Sequence, residues 1–320
     1  MKAIVMERHG GTEVLCLKTV ETPVPGPGQV AVRVCAAGVN PVDTYIRAGS
    51  QGYSADFPHT PGKDCAGTVA AVGEGVRHIS VGDRVYCSGT LTGAYAETTI
   101  CAAFQVHFLP DAVSFPEGAC LGIPYGTAYR ALVQRAGARP GEWVLVHGAS
   151  GGVGIAAVQF ARLLGMRIVG TASSADARER LLEEGAGLVL DHGDPDHLEK
   201  VFGATGKKGV DVILEMLASA NLGGDLKVLA PGARVAVVGS HGEVPIAPRD
   251  LMAREAQVLG VALAKASAEE LAEIHAAIGA GLASGALKPV VAKTFDLVNA
   301  PLAHEAVVGG GKFGNIVLTC

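Results

Sequence analysis

Trp143-Val144-Leu145-Val146-His147-Gly148-Ala149-Ser150-Gly151-Gly152-Val153-Gly154 decides the reading of this chain. An apolar run feeds a glycine-rich turn, and an apolar helical stretch continues to Leu164. Strand, glycine turn and helix in that order begin a dinucleotide-binding fold. Glycine lets the backbone approach a pyrophosphate where a Cβ would stand in the way, and the first N–H groups of the helix face the phosphates. The glycines stand at 148, 151, 152 and 154, so the strict G-x-G-x-x-G spacing is absent. A turn that serves only helix packing is the competing reading.

Outward from this turn, strands and helices alternate. Arg167 to Thr171, Leu188 to Leu190, Val210 to Leu214 and Arg234 to Val238 read as further strands, with a helix near Asp176 to Glu184 between the first two. That repeat predicts a doubly wound parallel sheet with ligand at the strand C-termini. Before about residue 122 the pattern differs. Short strands, Gln29 to Cys35, Gly67 to Val72, Asp83 to Ser88 and Ala94 to Ile100, are broken by turns crowded with proline and glycine. The expected class is therefore α/β, a β-rich domain over 1–122, a Rossmann domain over 123–262, and a return to the first domain over 263–320. A helix is expected at Ala268 to Ala283 and a last strand at Asn315 to Leu318. Asp83 and Arg84, adjacent at a tight turn, read as a structural ion pair.

With 320 residues, 49% hydrophobic, the chain suits two cores. Its 26 basic and 31 acidic residues leave a formal charge of −5, which argues against nucleic acid as a main partner. Seven cysteines without a C-x-x-C pair fit neither a disulfide framework nor a zinc knuckle. No apolar run is long enough to span a bilayer and the start carries no leader, so a cytoplasmic protein without membrane contact is expected.

Gly38-Val39-Asn40-Pro41-Val42-Asp43-Thr44-Tyr45-Ile46-Arg47, Gly122-Ile123-Pro124-Tyr125, Thr127-Ala128-Tyr129-Arg130-Ala131-Leu132, the glycine turn, Glu215-Met216-Leu217-Ala218 and Val237-Val238-Gly239-Ser240 resemble the zinc-independent quinone oxidoreductases of the ζ-crystallin type, within the medium-chain dehydrogenase/reductase superfamily. The resemblance implies a split GroES-like catalytic domain, an inserted Rossmann domain, and a cofactor cleft between them. Zinc-dependent relatives carry a Cys and a His-Glu pair where this chain has Asn40 and Lys63-Asp64, so no metal is expected.

Without a metal, the acceptor must already be electrophilic, and orientation with hydrogen bonding must carry catalysis. The resemblance places the loop of Asn40, Asp43 and Tyr45 beside a nicotinamide as the catalytic group, with an Asx-turn and a packed Tyr45 as the alternative; Tyr53 is a candidate gate. The strand end Gly170-Thr171-Ala172-Ser173-Ser174 lacks the acid that would bind a 2′-hydroxyl, and with Arg178 nearby NADPH is favoured over NADH. Ser150, Gly151, Gly152 and Val153 are expected at the pyrophosphate, and Ser173 and Arg178 at the 2′-phosphate. By the resemblance, Tyr45, Thr127, His192, Asn221, Val238, Gly239, Ser240, His241, Val261, Ala262, Leu263 and Asn315 line the rest of the cofactor, with Lys312 able to substitute for Asn315.

The implied activity is NADPH-dependent quinone reduction, by hydride or single electrons. An NADPH-dependent enone or alkenal reductase is the neighbouring alternative, and an AU-rich RNA-binding or crystallin-like structural role an alternative of another class. A homodimer or homotetramer through the Rossmann domain is implied as well.

Overall fold

A computed structural model describes residues 1–320. The chain divides into two compact units, one of Met1–Ile123, Ile278–Gly309 and Gly314–Cys320, the other of Pro124–Ala277 and Gly310–Phe313. Strands in chain order are β1 (Lys2–Val5), β2 (Cys16–Thr19), β3 (Gln29–Val39), β4 (Asp64–Val72), β5 (Arg84–Ser88), β6 (Thr98–Ala102) and β7 (Val106–Phe108), then β8 (Trp143–Val146), β9 (Arg167–Thr171), β10 (Leu188–Leu190), β11 (Val210–Glu215), β12 (Leu229–Val237) and β13 (Gln257–Gly260), and last β14 (Val291–Asp296) and β15 (Asn315–Thr319). The helices are α1 (Pro41–Ala48), α2 (Phe115–Gly118), α3 (Gly122–Tyr129), α4 (Gly152–Leu163), α5 (Ala175–Glu183), α6 (His197–Ala204), α7 (Ala218–Asp225), α8 (Pro248–Met252), α9 (Ala268–Ala283) and α10 (Ala300–Val308).

In the first unit the seven-stranded sheet runs β14-β15-β3-β4-β5-β7, with β6 on β3. β3 is the spine: Val30, Val32 and Val34 alternate into the core with Ile4, Val69, Val85 and Leu318. It slips one residue against β4 at Cys35, where the backbones come so close that a Cβ on Gly67 would lie 1.9 Å from the Arg33 carbonyl oxygen. Only glycine fits there.

The second unit is a wholly parallel sheet, ordered β10-β9-β8-β11-β12-β13. Both faces are covered, so Leu145, Val169, Ile213 and Val235 are completely buried and the strands read as apolar runs rather than alternations. Sequence order reverses between β8 and β11, the point where such sheets bind ligands beyond their strand ends.

Three expectations need correction. The return to the first unit falls at 278 rather than 263, because residues 263–277 pack within the second unit: Tyr129 Oη donates to Glu273 at 2.8 Å and Arg130 pairs with Glu270 at 2.9 Å. The strand expected over Ala94 to Ile100 is β6, starting only at Thr98, since Ala94 and Tyr95 bond instead to Gly62 and Pro61. Asp83 and Arg84 do not pair; Asp83 accepts from the Ser80 N–H, while Arg84 lies over the Phe115 ring and 3.4 Å from Asp111.

Candidate cofactor and catalytic sites

The glycine turn is built as its sequence requires. Gly148 takes φ +55°, open to glycine at little cost, and its N–H donates to Thr171 Oγ1 at 3.2 Å while Ala149 N–H donates to the Thr171 carbonyl. Gly151 is the extended N-cap of α4, so the N–H groups of Gly152, Val153 and Gly154 open towards the turn. A Cβ on Gly154 would lie 2.5 Å from the Gly148 carbonyl oxygen and 2.6 Å from Ala149 Cα. The glycine thus sets how closely helix meets strand, and the cradle fits an anionic pyrophosphate.

At the end of β9, Ser174 caps α5 by accepting from the Ala177 N–H. Arg178 Nη1 donates to the carbonyls of Ala172 and Ser173 and to Asp191 Oδ2 at 3.0 Å. Asp191 is held below the usual carboxylate range, first by the Gly193 N–H and also by Arg178. Arg178 is therefore fixed at the strand end beside exposed Ser173, with an acid as its present partner. His192 is exposed in the turn after β10.

Beyond β11 and β12, Asn221 donates its amide to Glu215 Oε1 at 3.1 Å. Val238 N–H donates to the Glu215 carbonyl, and a Cβ on Gly239 would lie 2.5 Å from Met216 oxygen, which brings the two strand ends together. Ser240 Oγ donates to Gly242 oxygen, and His241 N–H donates to Ser219 Oγ. Val261 N–H continues the ladder to Val237, Ala262 follows, and the Leu263 methyls lie against Gly126 in α3, the helix that also carries nearly buried Thr127.

The first unit holds the other group. Asp43 and Tyr45 stand on a helix, α1, and not on a loop: Pro41 is its first residue, and Asn40, the residue that caps it, closes a capping box with Asp43. Asp43 Oδ2 accepts the Asn40 N–H at 2.8 Å and the Tyr95 hydroxyl at 3.3 Å. Asn40 Nδ2 donates to Asp64 Oδ2 at 3.0 Å, and Ile123 N–H donates to the same oxygen at 2.8 Å. Burial pushes Asp43 up to about 6 and Asp64 up to about 7, hydrogen bonds offsetting only part of the cost. Asp43 is thus buried, with Oδ2 engaged twice and Oδ1 without a hydrogen-bond partner. Tyr45 is half-buried, its ring centroid 6.1 Å from that of exposed Tyr53.

Asn315 starts β15 in the first unit, with its amide donating to Val290 oxygen, whereas Lys312 falls in the second unit. Three functional-looking groups lay outside the expectations: Asp64 as the partner of Asn40, Tyr95 and His304 behind Asp43, and the buried set His147, Glu215 and Asp225. The last had one sequence signal, a histidine ending a buried strand directly before the first glycine of the turn.

Residues 26–111 match the alcohol dehydrogenase GroES-like domain and residues 152–278 match the zinc-binding dehydrogenase domain. The second description prompts a test of the donors around Asn40. Its amide nitrogen is turned onto Asp64, whose same oxygen is also held by a backbone N–H, and the neighbouring partner is the Tyr95 phenol. Amide, phenol and a carboxyl with a raised pKa do not make the N/S donor set of catalytic zinc.

The human protein described as quinone oxidoreductase is 44% identical over 320 residues, covering 99% of this chain and 97% of its own. The Escherichia coli quinone oxidoreductase solved with NADPH superposes with a TM-score of 0.89 at 30% identity, covering 100% of both chains. A structure described as an NAD-dependent alcohol dehydrogenase reaches 0.93 at 31% identity, also over 100% of both. With both domain matches and this similarity along nearly its whole length, the chain belongs to the quinone oxidoreductase family of the medium-chain dehydrogenase/reductase superfamily.

Proposed function

We propose that the protein is an NADPH-dependent reductase of quinones, working without a metal. The observation that carries the cofactor half is the end of β9, where hydroxyls and the Arg178 guanidinium stand in place of the acid that would select a 2′-hydroxyl. The acceptor half rests on the family, because the human relative is described as a quinone oxidoreductase and the Escherichia coli relative was solved with NADPH.

NADPH, when bound, supplies the hydride or electrons that a conjugated carbonyl accepts. The chain's own part is to bind and orient. Gly151, Gly152 and Val153 offer N–H groups to the pyrophosphate, Ser150 flanks them, and Ser173 with Arg178 receives the 2′-phosphate. Asn40 and Tyr45 are the groups proposed to steer the acceptor, with Asp64 holding the Asn40 side chain and Asp43 its backbone N–H rather than meeting the substrate.

The free edge of β13, with Val258 partly exposed, suits strand-to-strand pairing of two copies, so a homodimer through the second unit is part of this reading. A cytoplasmic location also belongs to it; no helix is long and apolar enough to cross a membrane. The test is loss of NADPH absorbance with 9,10-phenanthrenequinone and, separately, with 2-alkenals, each repeated with NADH. Turnover of the quinone with NADPH is expected. Turnover of alkenals alone would transfer the protein to the enone reductases, and no oxidation of either nucleotide with any acceptor would end the proposal.

A further inference from the structure

Beneath the glycine turn lies an ionisable set with no part in the reading above. His147 follows β8 and directly precedes Gly148, Glu215 ends β11, and Asp225 ends α7. Their relative exposures are 2%, 0% and 0%. His147 Nε2 lies 2.8 Å from Asp225 Oδ1 and 3.6 Å from Glu215 Oε2. Glu215 Oε1 accepts the Leu217 N–H and the Asn221 amide. Glu215 Oε2 and Asp225 Oδ2 each face the interior without a donor.

Two ionised carboxylates in such surroundings repel each other and leave two acceptors unsatisfied, a cost of several kcal/mol that proteins avoid by retaining a proton. The two carboxyls are within hydrogen-bonding reach of each other, and one proton shared between them removes the repulsion and supplies the missing donor. With His147 in the tautomer that carries its hydrogen on Nε2, Asp225 accepts from the imidazole and is the better acceptor; Glu215, whose other oxygen is engaged by two donors, carries the proton. Burial raises both carboxyls to about 7 and lowers His147, keeping the imidazole neutral. His197 on α6 also faces the set, its ring centroid 6.3 Å from that of His147.

We propose that Glu215 and Asp225 share one proton and, with His147, act as positioning residues that hold the glycine turn and helix α7, which carries Asn221, as one piece, so that NADPH affinity depends on that proton. The coupling rests on the cofactor reading; the shared proton does not. Loss of the proton at high pH sets two like charges against each other between the glycine turn and α7. Cofactor binding then weakens.

The test has two arms. In the first, infrared difference spectra of the nucleotide-free protein, wild type minus Glu215→Gln, should show the carbonyl stretch of a protonated carboxylic acid near pH 6, fading through about pH 7; the acid bands of Asp43 and Asp64 are common to both proteins and cancel. In the second, the Kd for NADPH is followed by fluorescence from about pH 6 to about pH 8.5. The wild type should weaken by about tenfold more than Glu215→Gln, the effect of one pKa unit of coupling. Titration of the 2′-phosphate is common to both proteins and cancels.

Should Glu215→Gln not fold, Asp225→Asn serves, since it too removes the shared proton. Absence of the acid band, or a stoichiometric metal in the purified protein, overturns the shared proton. A band with identical pH dependence of Kd in both proteins overturns the positioning role. A protein that shows the band and binds no dinucleotide overturns the cofactor reading and the coupling, and supports the shared proton alone.

Discussion

Asn40 and Asp64 are joined side chain to side chain at 3.0 Å, both buried, with Asp64 also accepting the N–H of Ile123. The pair ties the start of α1 to the start of β4. Its charge is costly, because burial raises Asp64 to about 7 and its neighbour Asp43 to about 6.

The sign of the pH dependence follows from those directions. Unfolded, both carboxyls titrate near about 4; folded, they hold their protons higher, so stability is fullest below about pH 4 as far as these groups are concerned and is lost as pH rises through 6 to 7. Urea midpoints should therefore fall between pH 5 and pH 8, and the fall should be shallower in Asp64→Asn. An equal slope in the two proteins would contradict the assignment. Asp64→Ala should lose about 1–3 kcal/mol at neutral pH, having stranded two buried donors.

Gly151 and Gly154 should separate binding from folding. A Cβ at Gly154 meets backbone at 2.5 Å, so Gly154→Ala forces α4 off the sheet and should cost about 1–3 kcal/mol in denaturant titrations. At Gly151 the nearest atom to an added Cβ is 3.5 Å away. Gly151→Ala should unfold normally while its methyl group, placed in the phosphate cradle, weakens NADPH in calorimetry.

Arg178→Ala should weaken NADPH by about tenfold and leave NADH nearly unchanged, as expected for one lost charge-assisted contact to a phosphate. Asp191→Asn should act oppositely, since the Asp191 carboxylate now competes for Nη1 of Arg178. Measured Kd values for both nucleotides check this, and equal weakening of the two by Arg178→Ala would remove Arg178 from the 2′-phosphate.

Tyr125→Phe tests a buried polar link within the second unit. The hydroxyl donates to Gln159 Oε1 at 2.8 Å, and Gln159 Nε2 donates to Glu184. Losing the hydroxyl removes that hydrogen bond and should lower stability by about 1 kcal/mol, read from thermal or urea unfolding.

The glycine turn was legible in the sequence because everything that defines it is local: an apolar run, the glycines and an apolar helix within about twenty residues. The parallel sheet followed from the alternation of strand and helix. α1 was misread because Pro41 suggests a turn; at the first helical position proline costs nothing, and Asn40 with Asp43 three residues on is a cap that the same letters also spell as an Asx-turn. The unit boundary near 278 left no trace, since α9 runs through it without a change of pattern. The acid pairs were hidden for another reason: Asn40 and Asp64 lie 24 residues apart and His147 and Asp225 78 apart, and no periodicity reports which distant carboxyls share a core.

β15 fills the place between β14 and the upper half of β3, pairing Ala36 to Val39 with Ile316 to Thr319. During synthesis the second unit's whole sheet has left the ribosome before β15 is made, so that sheet can form on the nascent chain. The earlier half has to wait with a row of unpaired amides and carbonyls open along β3, and such an exposed strand invites pairing between chains. A chain interrupted after α9 would therefore keep that edge of β3 open and be prone to aggregate, which makes the placing of β15 a step that chaperones would protect.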